Sequence, residues 1–413
     1  MDRGARGREF YINLDFDVSL GAGANTGAGE SRREHAVRRA RDLVPAFLLA
    51  GGRDDRLLLE DRVPAEFLDY LKAQGLEPAA AGDIHHPDSG REFVPYGWNA
   101  AAEAFAGRYD RVPRHPDLEV VRRVNSREFS AELERDLVAG GRVPGGINAC
   151  RTLDEVREAL DSAESPGGFV VKAVHSNAAL GNRRVRSAEP SPEDRRVIAR
   201  LLEESGAVVV EVWHERVRDL AVTMGVEPDG AARDVHVHEV INTAEGAFLG
   251  AVFGGGSSDN AVRHEAELRD TARRIAAKLA EAGYFGPACF DAYTWTDGEC
   301  VYLRPLVDLN ARIGMSEPFR AVAHRLGEGR VCYGRFFSAR RFPFGGDQSL
   351  LLSALGDRGF DPDARRGVLL ASPLRLGEGG DARTARRFAV VFVGESRDDV
   401  LAMETWFRGE FDR

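Results

Sequence analysis

The chain has 413 residues, of which 43% are apolar and 30% are charged, and it contains 45 glycines and 18 prolines. This length predicts two or three domains, and the composition excludes collagen-like, coiled-coil and disordered proteins. The net charge of −10 argues against a protein whose main role is to bind nucleic acid or an anionic membrane.

The first 75 residues alternate predicted strands and helices. The strands are expected at residues 10–18 and 56–60, and the helices at 32–50 and 64–75. This order predicts an α/β layer with parallel strands. A polar region rich in Pro and His follows from 82 to 117, and we expect a domain boundary near its end.

Capping signals and apolar runs organise the next hundred residues. Two pairs predict capping boxes at helix starts, Asn125 with Glu128 and Thr152 with Glu155. The apolar runs 167–174 and 207–213 predict buried strands, and the first is followed by a loop of small residues at 175–182. Between these strands lies a predicted helix that Ser191 caps and Gly206 ends.

The second half of the chain changes to an antiparallel pattern. Alternating segments joined by turns fill residues 219–253, and a GGGSS loop at 254–258 precedes a long helix that ends at Gly283. Residues 288–310 predict a hairpin around a turn. The tail predicts a helix near 316–326, a strand at 388–394 and a last helix capped by Ser396.

Lys172 is unusual because this chain uses arginine for nearly all its basic residues. Only Lys72, Lys172 and Lys278 are lysines, and Lys172 lies inside an apolar strand. Ammonium and guanidinium groups are not interchangeable, so a chemical role for Lys172 is indicated. The alternative is that Lys172 ends a buried strand and extends its amine to water.

Acidic residues in the hairpin suggest a metal–phosphate site. Asp308 and Asn310 are two residues apart on one strand and face the same way, and with Asp291 they offer the oxygen ligands that Mg²⁺ accepts. Lys172 and the loop after it would present an ammonium and backbone N–H groups to phosphate, and Arg312 would stabilise a transferred phosphoryl group. The alternative is that Asp308 and Asn310 are ordinary strand-end and turn residues.

Residues 121–330 resemble the ATP-grasp superfamily of carboxylate–amine ligases. The likeness rests on VNSREFS, FVVKA, VVVEVWHERVRD, GPACFDAY and LRPLVDLNARIGM, in this order. It implies an α/β, partly α+β, protein with a doubly wound N-terminal α/β domain, a two-subdomain ATP-grasp core and a small C-terminal α/β extension. The implied domains are an N-terminal domain at 1–120, the two core subdomains at 121–210 and 211–345, and the extension at 346–413.

The resemblance also implies a reaction and a set of residues. Mg-ATP would phosphorylate a substrate carboxylate, and an amine would attack the acyl phosphate to give an amide, ADP and phosphate. Lys172 and Arg312 would be catalytic, and Asp291, Asp308 and Asn310 would hold Mg²⁺ (or Mn²⁺). The nucleotide-binding residues would be Arg127, Lys172, Ser176, Gly181, Glu211, Val212, Trp213, His214 and Asp219.

Three features depart from the family pattern. Asp308 stands where Glu is common, and Arg127 stands where Lys is common. A two-residue turn at Asp297 and Gly298 would pair Asp291 with Arg304 and leave Asp308 roughly 13 Å away. Pro305 often marks a bulge, which would restore the proximity. These departures motivate an alternative: a regulatory or partner-binding relative that binds the nucleotide without ligating.

Other site types are poorly supported. The Gly-rich segment 21–29 lacks GxGxxG spacing and favours a flexible loop. Two histidine pairs, His85 with His86 and His236 with His238, have neither nearby thiols nor an HExxH helix, so we expect no zinc there. No GxSxG elbow is present, which argues against a triad hydrolase.

The expected partners are small molecules. They would be a carboxylate and an amine, such as an amino acid or short peptide, and Arg304 and Arg320 are compatible with carboxylate recognition. No nucleic acid or membrane partner is expected, because the chain is acidic and has no apolar run of about 18 residues. Four scattered cysteines and no apolar signal segment predict a cytoplasmic protein, and a homodimer is the default expectation.

Overall fold

The computed structural model describes residues 7–21, 34, 37–38, 41–88, 90–109, 112–137, 148–162, 165, 167–175, 181–243, 246–254 and 259–412. Ser176, most of the Gly-rich segment and residues 255–258 of the GGGSS loop lie outside this part of the chain. Each helix within it is too short or too polar to cross a lipid bilayer. The cytoplasmic location stays a prediction, as do the domain boundaries.

The N-terminal residues form a parallel four-stranded sheet. Its strands are β1 (Arg8–Tyr11), β2 (Arg56–Leu59), β3 (Ala80–Asp83) and β4 (Glu92–Pro95), in the order β3-β2-β1-β4. The helices are α1 (Phe16–Ser19), a 3₁₀ helix (Arg41–Leu49), α2 (Ala65–Ala73) and α3 (Ala100–Gly107). The parallel α/β layer predicted from the alternation is confirmed.

Three details of this layer differ from the sequence predictions. The helix expected at 32–50 is a 3₁₀ helix over Arg41–Leu49, with Pro45 inside it, and most of residues 31–40 lie outside the described part of the chain. The first strand ends at Tyr11 rather than at residue 18, because Asn13 bonds through its side chain to Gly97 and Asn99 at the end of the neighbouring strand. The region 82–117 contains β4, α3 and the end of β3. Only Gly82 of the edge strand β3 is buried, so the sequence has no apolar pattern that predicts this strand.

The next unit is a four-stranded antiparallel sheet with its own apolar core. Its strands are β5 (Asn148–Cys150), β6 (Phe169–Ala173), β7 (Asn182–Val185) and β8 (Val208–Val212), in the order β5-β8-β6-β7. The helices are α4 (Leu118–Val124), α5 (Arg127–Leu137), α6 (Leu153–Asp161) and α7 (Pro192–Ser205). The two predicted buried strands are β6 and β8, whose residues are all buried.

The caps of these helices test the predicted signals. Ser191 and Gly206 bound α7 as expected, and Thr152 accepts the Glu155 N–H at the start of α6. The capping box at Asn125 is wrong: Asn125 follows the end of α4, and the hydroxyl of Ser126 accepts the Phe129 N–H at 3.1 Å. Asn125 instead accepts the backbone N–H of Ala311 through its side chain, at 2.8 Å.

The second half of the chain builds a nine-stranded sheet. Its strands before residue 340 are β9 (Glu215–Val226), β10 (Ala232–Asn242), β11 (Phe248–Gly254), β12 (Gly286–Thr296), β13 (Val301–Arg304), β14 (Leu309–Asn310) and β15 (Val331–Ser338). Helices α8 (Asp259–Glu281) and α9 (Glu317–Leu326) accompany them. The predicted antiparallel segments, long helix and hairpin are all present.

The last residues complete this same sheet. They form α10 (Gln348–Leu355), β16 (Gly367–Leu370), the short pair β17 (Arg375–Leu376) and β18 (Arg383–Thr384), β19 (Arg387–Gly394) and α11 (Arg397–Phe411). Short 3₁₀ helices occupy Ala339–Arg341, Gly356–Arg358 and Gly379–Asp381. The sheet order is β13-β12-β9-β10-β11-β15-β19-β16, and β14 also pairs with β12.

One large apolar core joins the N-terminal sheet to the nine-stranded sheet, whereas β5–β8 pack around a separate core. The C-terminal residues also contact the N-terminal layer directly. Arg383 binds Asp42 at 2.7 Å and Asp61 at 2.6 Å, and the Leu370 N–H donates to the Tyr70 hydroxyl at 3.1 Å. The small sheet therefore faces a larger, continuous body.

Candidate active site

The hairpin of β12 with β13 and β14 contains an irregularity that brings two aspartates together. Tyr293 pairs with Arg304, and Phe290 pairs with Leu309, so four residues on the return strand face only two on β12. The Asp291 N–H donates to the Asp308 carbonyl at 2.9 Å. The turn is also longer than two residues, since Thr296 pairs with Val301. Asp291 and Asp308 therefore lie close together, as expected if a bulge follows Pro305.

Lys172 and Arg127 both reach Asp308 from the small sheet and its helix. The Lys172 ammonium on β6 lies 3.8 Å from Asp308 Oδ2, and the Arg127 Nε donates to Oδ1 at 3.0 Å. Arg127 also donates to the Ala173 carbonyl at 2.5 Å, next to Lys172. Lys172 is only 3% exposed. Lysine and aspartate from two different sheets therefore converge, and Lys172 does not end its strand in water.

Three oxygen-bearing side chains of the hairpin form the candidate metal set. Asp291 and Asp308 are connected through the backbone bond described above, and Asn310 pairs with Cys289 two residues before Asp291. Burial, and next the charge of Asp308, raise the pKa of Asp291 to about 7. Among the described residues, no group of three or more His, Cys, Asp or Glu side chains could hold a metal ion. The set is therefore two carboxylates and one amide.

Arg312 connects the hairpin to the N-terminal layer. Its guanidinium binds both oxygens of Asp17 on α1, at 2.7 and 3.0 Å, and donates to the Asn310 side chain at 3.2 Å. It also lies over the ring of Tyr96, 4.9 Å from its centroid. Most of its donors are therefore already used within the protein, and its charge is partly balanced by Asp17.

Glu211 on β8 is the centre of a buried ion network. One carboxylate oxygen lies 3.0 Å from the Lys172 ammonium, and the other accepts from Arg304 at 2.8 Å. Arg304 also makes two bonds of 2.8 Å to Glu134 on α5. Burial opposes ionisation of Glu211, but Arg304 and Lys172 outweigh it and hold its pKa at about 2. Both Glu211 oxygens are thus occupied by cations.

The segment from Val212 to Asp219 leads from the small sheet into β9. Val212 is buried, and the Trp213 ring is covered by Arg184, whose guanidinium carbon lies 4.2 Å from the ring centroid. His214 stacks on Trp295 with the ring centroids 4.2 Å apart. Asp219 accepts from Arg216 at 2.9 Å and from Asn242 at 3.1 Å. The segment therefore presents aromatic rings and one paired carboxylate.

The sequence matches no protein-family model and no curated protein. Several solved structures do match the whole chain. Biotin carboxylase from Campylobacter jejuni aligns with a TM-score of 0.54 at 12% identity, over 98% of this chain and 91% of that one. Phosphoribosylamine–glycine ligase from Thermotoga maritima aligns with a TM-score of 0.53 at 13% identity, over 98% and 96%.

A third structure, N5-carboxyaminoimidazole synthase from Aspergillus clavatus, was solved with ADP and 5-aminoimidazole ribonucleotide. It aligns with a TM-score of 0.52 at 13% identity, over 99% of this chain and 100% of that one. All three are ATP-grasp enzymes. The chain has the ATP-grasp fold. The fold class predicted from the sequence is confirmed, whereas identities this low say nothing about the substrates.

Within the ATP-grasp fold, the residues predicted around the phosphates and the metal fall into three groups. Lys172, Arg127, Asp308, Glu211 and Asp291 are brought together, and Arg312 lies on the N-terminal side with Asn310. Gly181 lies at the start of β7, where its carbonyl accepts the Ala173 N–H at 2.9 Å.

Neither predicted carboxylate-binding arginine is free to take a substrate. Arg304 is 2% exposed and binds Glu134 and Glu211, so the carboxylates it recognises are internal ones. Arg320 is held by both oxygens of Glu317, at 2.8 and 2.6 Å, and lies 3.3 Å from His236. The carboxylates that these arginines recognise are the protein's own.

Sequence reasoning missed Glu134, Tyr293 and Asp17. A signal existed for the first two, because Arg304 lies in the apolar run of β13 and needs buried partners, as Lys172 does in β6. Glu134 lies on the buried side of α5 between Leu133 and the exposed Arg135. No local signal marks Asp17, whose partner is 295 residues away.

Proposed function

We propose that this protein is an ATP- and Mg²⁺-dependent carboxylate–amine ligase that forms an amide through an acyl phosphate and releases ADP. The observation that carries the proposal is the convergence of Lys172 and Arg127 from the small sheet on Asp308 of the hairpin, beside Asp291. Two cations beside two neighbouring carboxylates are what a metal–triphosphate needs for charge balance.

The hairpin residues fit Mg²⁺. Two carboxylates and one amide oxygen suit a hard cation that keeps several waters and takes the rest of its ligands from phosphate. Burial, and next the charge of Asp308, raise the pKa of Asp291, so a cation bound beside both carboxylates would favour its ionised form. Asp291, Asp308 and Asn310 would hold the ion, which would neutralise charge on the phosphates.

The cationic residues would position the triphosphate. Lys172 is proposed to contact the α and β phosphates, and Glu211 holds its ammonium in place through the 3.0 Å contact. Arg127 would exchange part of its contact with Asp308 for phosphate when the metal binds. Arg312 would supply positive charge beside the γ-phosphate. The transferred phosphoryl group carries its charge on its outer oxygens. Positioning of the reactants and electrostatic stabilisation of this charge would therefore supply most of the rate acceleration.

The segment after β8 would hold the nucleoside. The backbone from Val212 to His214 is proposed to bind the adenine, and Asp219 to accept from the ribose hydroxyls. Asp219 is held by Arg216 and Asn242, so its carboxylate is already oriented. Gly181 would help to shape the phosphate side of the pocket. Ser176, also predicted to bind the nucleotide, lies outside the described residues.

A cavity of about 510 Å³ lies at the carboxyl ends of β1 and β2. This edge is where open parallel sheets place their ligands, and the volume suits a small molecule. Polar residues lining it include Asn13, Asp15, Arg41, Glu60 and Asp61. We propose that an amino acid or short peptide binds here, and α1 at this edge also provides the Asp17 that holds Arg312.

Hydroxylamine provides a direct test because it traps acyl phosphates as hydroxamates. Purified protein should release ADP and form a hydroxamate in the presence of ATP, Mg²⁺ and carboxylates drawn from amino acids and short peptides. Lys172→Met should abolish both products, whereas Lys278→Met, whose amine pairs with Glu281 at the surface, should leave them unchanged. No ATP binding by calorimetry, or unchanged ADP release in Lys172→Met, would contradict the proposal.

A second candidate is a nucleotide-binding relative that does not ligate. It is favoured by one observation: Asp308, a proposed metal ligand, is engaged by both Arg127 and Lys172. If these pairs persist when ATP binds, metal affinity falls and turnover stops. Tight ATP binding, with neither ADP nor hydroxamate across the whole panel of carboxylates, would select this candidate.

A further inference from the structure

A continuous chain of hydrogen bonds runs under the proposed base-binding segment. Glu134 on α5 binds Arg304 through two bonds of 2.8 Å, and Arg304 reaches the Tyr293 hydroxyl at 3.3 Å. The Tyr293 oxygen lies 2.8 Å from Nδ1 of His214. Glu134 and Tyr293 are each 1% exposed, and Arg304 is 2% exposed. These three buried side chains therefore connect α5 to the ring of His214.

The direction of each hydrogen bond in this chain is determined by its chemistry. A guanidinium can only donate, so the Tyr293 oxygen accepts from Arg304. A tyrosine hydroxyl carries its proton at neutral pH, and the oxygen of Tyr293 already accepts from Arg304, so its O–H donates to Nδ1 of His214. Burial, and next the charges of Arg304 and Arg216, lower the pKa of His214 to about 4. The imidazole is neutral at pH 7, and its only proton is on Nε2.

The ring of His214 is also fixed in orientation. It stacks on Trp295, and Trp295 in turn stacks on Tyr302 with the centroids 4.8 Å apart. His214 remains partly exposed, and it lies three residues after Glu211, in the segment proposed to hold adenine. Its Nδ1 is used by Tyr293, so Nε2–H is the donor that remains.

We propose that His214 donates a hydrogen bond from Nε2 to an acceptor nitrogen of the purine base, and that Tyr293 and Arg304 are positioning residues that fix this tautomer. The inference rests on the proposed function, because it assumes that a nucleotide binds at this segment. It adds a base-recognising side chain and explains why a buried arginine lies beneath it. A neutral donor suits a neutral base, whereas a protonated imidazole would favour a phosphate.

Tyr293→Phe is the sharpest test because it removes a single oxygen atom. Tyr302→Phe is the matched control: it belongs to the same hairpin and aromatic stack, but its hydroxyl binds Asp297 in the turn. Two measurements are made on wild type and both variants. Calorimetry gives the Kd for ATP with Mg²⁺ and, as a probe without a base, for inorganic tripolyphosphate. Nitrogen-15 NMR of the ligand-free protein, assigned with His214→Gln, gives the tautomer of His214.

The expected result in Tyr293→Phe is an ATP Kd raised about five- to tenfold, as the weakening of one hydrogen bond implies. Tripolyphosphate should bind within about twofold of wild type, and His214 should become a mixture of tautomers. Tyr302→Phe should match wild type in all three respects. An unchanged ATP Kd, an unchanged tautomer, or equal weakening of tripolyphosphate would overturn the inference. Absence of ATP binding by the wild type would instead refute the proposed function, and the base contact with it.

Discussion

Arg304→Met should destabilise the protein strongly, because it removes the only cation that Glu134 contacts in the described residues. Methionine is flexible and unbranched and fills much of the space of the arginine stem, so the change deletes charge and hydrogen bonds more than volume. Wild-type Arg304 makes two bonds to Glu134, one to Glu211 and one to Tyr293. After substitution, Glu134 is a buried carboxylate without its partner, and Glu211 keeps only Lys172.

The cost can be estimated from these contacts. Removing one partner of a buried ion pair costs about 3–5 kcal/mol of unfolding free energy, because the other charge stays buried. Two carboxylates lose a partner here, so we expect the upper part of this range. Glu211 adds a dependence on pH. Its folded pKa of about 2 lies below its ordinary value of 4.5, so its contribution is present above pH 4.5 and is lost as pH falls towards 2. In Arg304→Met the folded pKa of Glu211 should rise towards 4.5, so this pH-dependent part of the stability should become smaller.

Urea unfolding followed by tryptophan fluorescence measures the effect, because Trp213 and Trp295 lie close to the network. Arg62→Met is the control: this arginine pairs with Glu378 on the surface, and both side chains are more than half exposed. Its loss should change stability little. The double variant Glu134→Leu with Arg304→Met should recover much of the lost stability, since the buried carboxylate that has lost its partner is gone.

Two results would refute this reasoning. If the free energy of unfolding of Arg304→Met lies within about 1 kcal/mol of the wild-type value, the buried ion pairs make no net contribution to stability. A double variant no more stable than Arg304→Met would mean that the cost arises from packing rather than from unpaired charge.

Two further predictions concern the nine-stranded sheet. His238 is buried and stacks on Phe253. Burial, with a smaller effect from the charges of His236 and Arg320, lowers its pKa to about 3. The free energy of unfolding of the wild type should therefore fall as pH decreases from 6.5 to 3. His238→Phe should remove this part of the acid dependence in urea titrations at pH 5 and 7, and an unchanged difference between the two pH values would contradict the assignment. Gly334→Ala should cost about 1–3 kcal/mol because a Cβ there would overlap the ring of Phe319, whereas Gly409→Ala, in the open part of α11, should be neutral or slightly stabilising. Equal unfolding midpoints for these two variants would show that the ring moves aside freely.

The elements that the sequence predicted well are those defined by local patterns. The helix from Ser191 to Gly206 has a capping box, an apolar stripe and a terminal glycine within sixteen residues, so each signal supports the others. The buried strands β6 and β8 are apolar runs between glycines or helix ends. In contrast, β3 is an exposed edge strand that is stabilised by its pairing with β2, and its sequence has no apolar periodicity that predicts a strand.

The candidate site divides in the same way. Lys172, Asp291 and Asp308 could be proposed because their residue types and spacing suggest phosphate and metal chemistry. Their proximity depended on the longer turn and on the surplus residues after Pro305, which no strand pattern specifies. The partners of Arg304 and Arg312 lie 170 and 295 residues away, so only the folded topology brings them together.

The position of β19 between β15 and β16 has a consequence for synthesis. Residues 387–394 are made last among the strands of the nine-stranded sheet, yet they occupy an interior position in it. While the nascent chain is still on the ribosome, β15 has an open edge and its buried side chains lack their cover. The largest layer of this protein can therefore close only after residues 387–394 have been made, and until then its exposed edge is where unwanted association between chains would begin.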